Sequence, residues 1–122
     1  MARDDFTESV KLALAKRASF VCSNPECRAL TVAPAGSDSI SILYIGKAAH
    51  ICAASSGGPR FDARMTSAQR GAIENAIFLC SSCADMIDRN GGADFSVRTL
   101  NQWKEQHEKW VRSHLNLRPN SP

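Results

Sequence analysis

The sequence predicts an α+β domain that is held together by a four-cysteine zinc site. The chain has 122 residues, of which 43% are hydrophobic and 22% charged, and this suits one folded domain with a single core. Segments with helical periodicity lie on either side of a β-rich stretch. Two pairs of closely spaced cysteines lie far apart in the chain, the spacing of a shared metal site.

The N-terminal helix is predicted over residues 5–18. Apolar residues recur at helical spacing from Phe6 to Leu14, behind two aspartates that favour the positive end of a helix dipole. Residues 22–27, Cys-Ser-Asn-Pro-Glu-Cys, are too short and proline-bent for a regular element and predict a knuckle loop.

A β-hairpin is predicted next, ending near His50. Residues 40–45 are rich in β-branched and aromatic side chains, Gly46 interrupts them, and residues 47–52 return as a second strand. The following Ser-Ser-Gly-Gly-Pro stretch predicts a flexible loop.

The second half of the chain predicts three helices. Thr66 and Gln69 have capping-box spacing and begin a short helix. An apolar segment at 77–79 leads into the second cysteine pair and a helix that runs to about Arg89 and stops at Asn-Gly-Gly. Ser96 is expected to cap the last helix, whose periodic stripe comprises Leu100, Trp103, His107, Trp110, Val111, His114 and Leu115. Residues 1–117 form the predicted domain, and 118–122 have the composition of a linker or tail.

Four cysteines form the candidate metal site. Cys22 and Cys27 make one knuckle, and Cys80 and Cys83 make the other. Four thiolates satisfy tetrahedral Zn²⁺ completely and leave no open position, so the predicted zinc is structural rather than catalytic. Cys52 belongs to neither pair and is expected to be a buried, inert thiol.

The charge distribution is uneven although the net charge is only +3. Residues 47–70 contain four basic side chains and a single acidic one, Asp62. The chain has neither a long uncharged apolar run nor the pattern of a secretory signal, so a cytoplasmic protein is expected.

The order of motifs resembles the HNH endonuclease family. The Lys-Ala-Ala-His-Ile run that ends at Ile51 is followed by the glycine-rich loop, by Asn75 before an apolar triplet, and by Cys-x-x-Cys. The resemblance covers residues 22 to about 90. More specifically, the motifs resemble the zinc-bound HNH modules of bacterial antiphage effectors, which are often fused to a nucleotide-sensing SAVED domain. It implies a ββα-metal (His-Me finger) core and a nuclease that leaves 5′-phosphate and 3′-hydroxyl ends.

His50 is the candidate general base, because the ordinary pKa of imidazole is near neutrality. In the family, an asparagine at the position of Asn75 steadies the histidine across the loop. Many members have metal-ligating residues where this chain has Ala49 and Ala84. Asp88 lies one helical turn beyond Ala84 and is the preferred ligand for catalytic Mg²⁺ or Mn²⁺, with Asp85 as the alternative.

The basic side chains predict a phosphate track made by Lys47, Arg60 and Arg64. Such contacts position a nucleic acid without reading its sequence, so little sequence specificity is expected. The resemblance implies DNA as the partner, and double-stranded DNA is expected. Cutting both strands favours a dimer or a higher oligomer, and a ligand-sensing domain is expected beyond residue 122. The alternative is a non-catalytic zinc module that binds nucleic acid or protein through Arg60, Arg64 and Arg70.

Overall fold

The computed structural model describes residues 3–118. Within that range the fold is α+β, as predicted, with four α-helices and two small antiparallel sheets. None of these helices is both long and apolar enough to cross a membrane. The predicted tail at 118–122 lies outside the described residues except for Arg118. The elements are α1 (Glu8–Arg17), β1 (Val32–Pro34), β2 (Ile42–Tyr44), β3 (Gly46–His50), α2 (Ser67–Arg70), β4 (Ala76–Cys80), α3 (Ser81–Asp88) and α4 (Val97–Ser113), with 3₁₀ turns at Ile73–Asn75 and Arg89–Gly92.

Strand β4 is the centre of the core, and every one of its residues is buried. Side chains alternate across a strand, so β4 supplies two separate clusters. Ile77 and Leu79 pack in a cluster with residues of α3 and α4. Ala76 and Phe78 pack in a second cluster on the other face, with α1. The two-stranded sheet is therefore covered by helices on both sides, which explains the continuous apolar run in its sequence.

The two predicted N-caps are confirmed, whereas α3 ends at Asp88 with Arg89 as its C-cap, before the predicted Asn-Gly-Gly stop. Thr66 and Gln69 make the reciprocal hydrogen bonds of a capping box at α2, and the Ser96 hydroxyl accepts from the backbone of Thr99 at α4. Helix α1 begins later than predicted because the Thr7 hydroxyl, which accepts from the backbone N–H of Val10, sets its start.

The predicted stripe of the last helix is too long at its C-terminal end. Leu100 and His107 are buried as part of the inward face. His114 is the residue that ends α4, and Leu115 lies beyond it and is 81% exposed. The periodic pattern continued past the point where the backbone leaves the helix.

The predicted β-hairpin between residues 40–45 and 47–52 is wrong. The first segment pairs with β1, with Ala33 opposite Leu43, whereas the second pairs with β4, with Ala48 opposite Phe78. Only Ile45 separates β2 from β3, which is too short a link for a hairpin turn. β3 pairs instead with the distant strand β4, which is apolar and fully buried. The burial of this pair outweighs local pairing with β2.

Gly46 is required because the Phe78 and Tyr44 rings occupy the space that a side chain would need. A Cβ atom placed on Gly46 would overlap the Phe78 ring and lie 2.8 Å from the Tyr44 ring. Since Phe78 is fully buried, we expect Gly46→Ala to lower the free energy of unfolding by about 1–3 kcal/mol. Thermal and urea unfolding measure this change. Gly36→Ala is the control, since nothing lies within 4 Å of its Cβ position; equal stability loss in both variants would contradict the packing argument.

Candidate metal centre and candidate active site

Two separate parts of the chain bring the four predicted ligands together. The first knuckle leaves α1 and is attached to β4, because the backbone N–H of Ser23 donates to the carbonyl of Phe78 at 2.9 Å. Cys80 is the last residue of β4, and Cys83 lies in the first turn of α3. The strand therefore carries its own cysteines to the knuckle that is docked on it.

The ligand atoms of Cys22, Cys27, Cys80 and Cys83 all lie within 4.8 Å of one another. The sulfurs of Cys27 and Cys80 are 3.9 Å apart. A regular tetrahedron with Zn–S bonds of about 2.3 Å has sulfurs about 3.8 Å apart. The four cysteines can thus hold a metal ion such as zinc, and they are the only such cluster among residues 3–118.

Asn24 supports this metal centre, a role that the sequence pattern does not predict. Its side-chain amide donates to the sulfur of Cys83 at 3.4 Å, and its carbonyl groups accept from the backbone of the same knuckle. Burial raises the pKa of Cys83, and the Asn24 hydrogen bond acts in the opposite direction. Donors aimed at sulfur favour thiolates, the form in which cysteine binds metal.

Cys52 is outside the metal centre and is buried. Burial raises the pKa of its thiol above the ordinary value. A protonated, buried thiol is unreactive, which suits the inert role predicted for it.

A second site surrounds His50 at the opposite end of β3. A cavity of about 370 Å³ lies between the end of this strand and helix α3, and its lining includes Lys47, His50, Asp85 and Asp88. The cavity therefore unites the predicted base with both candidate carboxylates. It is also lined by Ala49 and Ala84, which supply no ligand groups.

The His50 ring is held by the N-terminal segment (residues 3–6). Its Nε2 atom lies 2.9 Å from the backbone carbonyl oxygen of Asp4, and the ring stacks on Phe6 with centroids 3.9 Å apart and planes 14° apart. A carbonyl oxygen only accepts, so Nε2 carries the proton and Nδ1 keeps a free electron pair in the neutral ring. Burial lowers the pKa of His50, with the Asp4 hydrogen bond acting in the opposite direction.

Asn75 fastens the loop that follows His50. Its side chain accepts from the backbone N–H of Cys52 and donates to the Cys52 carbonyl, both at 2.9 Å, and it also donates to the carbonyl of Arg70 at 3.0 Å. All of its bonds are to backbone groups and none is to His50 itself. Asn75 is thus placed to fix the backbone beside the histidine.

Both candidate carboxylates have ion-pair partners. Asp88 is half exposed, and its Oδ1 lies 2.7 Å from a guanidinium nitrogen of Arg60. Asp85 pairs with Arg89 one helical turn away at 2.6 Å, with both side chains in solvent. Asp88 is the better held of the two, and its Oδ2 has no hydrogen bond among the residues that the structure describes.

The structure does not favour Arg60 as a phosphate contact. Its side chain is only 6% exposed. Its guanidinium donates to the carbonyls of Ile51 and Ile87 at 2.7 and 2.9 Å, as well as to Asp88. These bonds join the loop after β3 to the end of α3, so Arg60 has a structural role. The sequence pattern showed its charge but not the carbonyl groups that surround it.

Lys47 and Arg64 keep the accessibility that a phosphate contact needs. Lys47 is exposed on β3 and lines the cavity. Arg64 is 91% exposed and, among the described residues, pairs only with Asp62, two residues before it. Arg70, named in the alternative function, is largely buried over the Phe61 ring and close to Asp4. Arg3 lines the cavity as well and was not predicted, since no sequence signal links it to His50.

No protein-family model matches the chain, and the search of curated proteins finds no match either. The site is therefore interpreted from its own geometry and from the order of its motifs.

We expect the purified protein to contain one zinc ion per chain, bound by the four cysteines. Cys27 is exposed, so Cys27→Ala removes a ligand without opening a cavity. We expect this variant to lose zinc and roughly 3 kcal/mol or more of unfolding free energy, because metal binding contributes directly to folding. Elemental analysis and thermal unfolding measure both effects.

Cys52→Ala is the matched control for that experiment, and it should retain a full equivalent of zinc. Equal zinc content and stability in wild type and Cys27→Ala would show that the cysteines hold no metal.

Proposed function

We propose that this chain is an HNH endonuclease domain that uses a divalent cation to hydrolyse phosphodiester bonds in double-stranded DNA with little sequence specificity. The observation that carries the proposal is the cavity whose lining includes both His50 of β3 and Asp88 of α3. β3, β4 and α3 are two antiparallel strands followed by a helix, and this order supports a ββα-metal core.

His50 acts as the general base in this proposal. The Asp4 carbonyl holds the proton on Nε2, so Nδ1 is free to take a proton from the attacking water. The lowered pKa keeps the ring neutral, and thus able to accept that proton, at pH 7. Asn75 keeps the adjacent loop in one conformation, so it positions the base without contacting the substrate.

Asp88 is the residue that would hold the catalytic Mg²⁺ or Mn²⁺. One carboxylate with a free oxygen suits a cation that keeps several of its water ligands and gains others from a phosphate. A bound divalent cation would neutralise the charge that develops on the phosphate. Arg60 shares the same carboxylate and reduces its negative charge, so we expect affinity for the cation to be weak before DNA binds.

Lys47, Arg3 and Arg64 provide positive charge for the DNA backbone. The first two line the cavity, and the third extends from the loop after β3. Arginine and lysine contacts to phosphates carry no sequence information, which is why little specificity is expected.

Two further parts of the proposal come from the motif resemblance. Antiphage defence is the role of the modules that the motifs resemble, and a C-terminal ligand-sensing domain would regulate the nuclease. A dimer or higher oligomer would place two active sites on opposite strands, since one site cuts one strand.

We expect wild-type protein to nick supercoiled plasmid in Mg²⁺ or Mn²⁺, and His50→Ala to be at least about 100-fold slower, since a general base contributes about that factor or more. Gel electrophoresis of nicked and linear plasmid gives the rates. His114→Ala is the matched control, because His114 is exposed at the end of α4 and far along the chain from the cavity. Equal nicking by wild type and His50→Ala, or no nicking by concentrated wild type, would favour the non-catalytic zinc module.

We expect Asp88→Asn to need about tenfold or more Mg²⁺ for half-maximal cleavage, because the amide keeps an acceptor for Arg60 but loses the charge that binds the cation. A Mg²⁺ titration of the cleavage rate measures this requirement. Asp85→Asn should follow the wild-type curve. The reverse pattern would assign the cation to Asp85.

The second candidate function, a non-catalytic binding module, is favoured by one observation. Among residues 3–118 the only cluster of three or more metal-ligating side chains is the cysteine site. If the wild type binds DNA with the same affinity in the presence and absence of Mg²⁺ and never cuts it, this function replaces the nuclease.

A further inference from the structure

The N-terminal segment (residues 3–6) reaches the candidate base from outside the β3–β4–α3 unit. Helix α1 begins only at Glu8, so this segment is non-helical backbone that precedes it. It is nevertheless well anchored. The backbone N–H of Asp4 donates to the carbonyl of Ala54 at 3.1 Å, and the Phe6 side chain is only 5% exposed.

We propose that Phe6 and the backbone of Asp4 are positioning elements for His50, which fix the ring plane and keep the proton on Nε2, leaving Nδ1 as the ring nitrogen that can accept a proton. This inference rests on the proposed nuclease function and adds two positions that lie outside the motif order. It depends on the Asp4 hydrogen bond and the Phe6 stacking contact already described.

The two contacts restrict different motions of the ring. A hydrogen bond at Nε2 fixes one point of the imidazole but still permits rotation about the line through that bond. A parallel aromatic neighbour 3.9 Å away removes that rotation, because a tilted ring would collide with Phe6. Together they leave one orientation of Nδ1, which is what a base within hydrogen-bond reach of its water requires.

Arg70 connects this segment to Asn75. A guanidinium nitrogen of Arg70 lies 3.5 Å from the Asp4 carboxylate, and the Arg70 carbonyl accepts from the Asn75 amide at 3.0 Å. Asn75 therefore braces the loop after His50 directly and, through Arg70, the segment that orients the ring. A single side chain thus serves both supports of the histidine.

Phe6→Leu tests the stacking contact, because leucine keeps an apolar side chain but not a flat ring. Phe20→Leu is the matched control: Phe20 packs against the same core cluster, with its ring edge toward Phe78. We expect Phe6→Leu to reduce kcat by about tenfold with little change in KM, since misorientation affects the chemical step. Phe20→Leu should cut at the wild-type rate.

Nitrogen NMR of the imidazole gives a readout that does not depend on cleavage. The chain has three histidines, so a His50→Ala spectrum assigns the His50 signals. In wild type we expect one neutral tautomer with the proton on Nε2. In Phe6→Leu we expect a mixture of tautomers and a His50 pKa that moves upward toward about 6.5, since lost burial outweighs a weaker hydrogen bond. The acid limb of the cleavage profile should move with it.

Other charged groups around the ring also bear on the pKa of His50. Those on the N-terminal segment, on β3 and on α3 are Arg3, Asp4, Asp5, Lys47, Asp85 and Asp88. None of them is altered in Phe6→Leu or in the control, so a difference between the two variants comes from the stacking contact.

Each outcome distinguishes the positioning role from the nuclease itself. A wild-type His50 with its proton on Nδ1, or identical His50 tautomers and pKa in wild type and Phe6→Leu, would overturn the positioning role even if the protein cuts DNA. The expected NMR differences without any cleavage by wild type would uphold the positioning and reject the nuclease. The wild-type tautomer is read without Phe6→Leu, so the test holds even if that variant does not fold.

Discussion

The antiparallel ladder between β3 and β4 is the constraint on which the other features depend. Its register puts Gly46 opposite Cys80 at one end and His50 opposite Ala76 at the other. Four residues of strand separate these ends by about 13 Å. The ladder therefore joins the cysteine site to the histidine site and also keeps them apart, so a metal held by the cysteines acts on His50 only through the rigidity of the sheet.

Burial of β4 on both faces makes this ladder rigid. Helix α1 covers one side, and helices α3 and α4 cover the other, so the strand has no solvent face along which its register could slip. The knuckle with Cys22 is attached to the same strand through Ser23. A metal bound by the four cysteines would link the end of α1 to the start of α3 around this core, and its loss would release both.

Some basic side chains are buried and stabilise the interior, although their sequence positions suggest that they are exposed. Arg60 and Arg70 both follow the glycine-rich loop, and both are largely buried. Arg60 donates to carbonyls of the loop and of the end of α3, and a buried carbonyl requires a donor. The positive charge available to a nucleic acid is consequently smaller than the sequence indicates and comes chiefly from Lys47, Arg64 and Arg3.

The sequence by itself determined the fold class, the helix caps at Thr66 and Ser96, and the grouping of the four cysteines, because each of these depends on local spacing or on residue chemistry. Only the tertiary structure decided which strand β3 pairs with, that Arg60 turns inward, and that Phe6 and the Asp4 carbonyl contact His50. Those features join residues far apart in the chain through packing and backbone hydrogen bonds. A carbonyl group is present at every residue, so no sequence pattern marks the one that His50 binds.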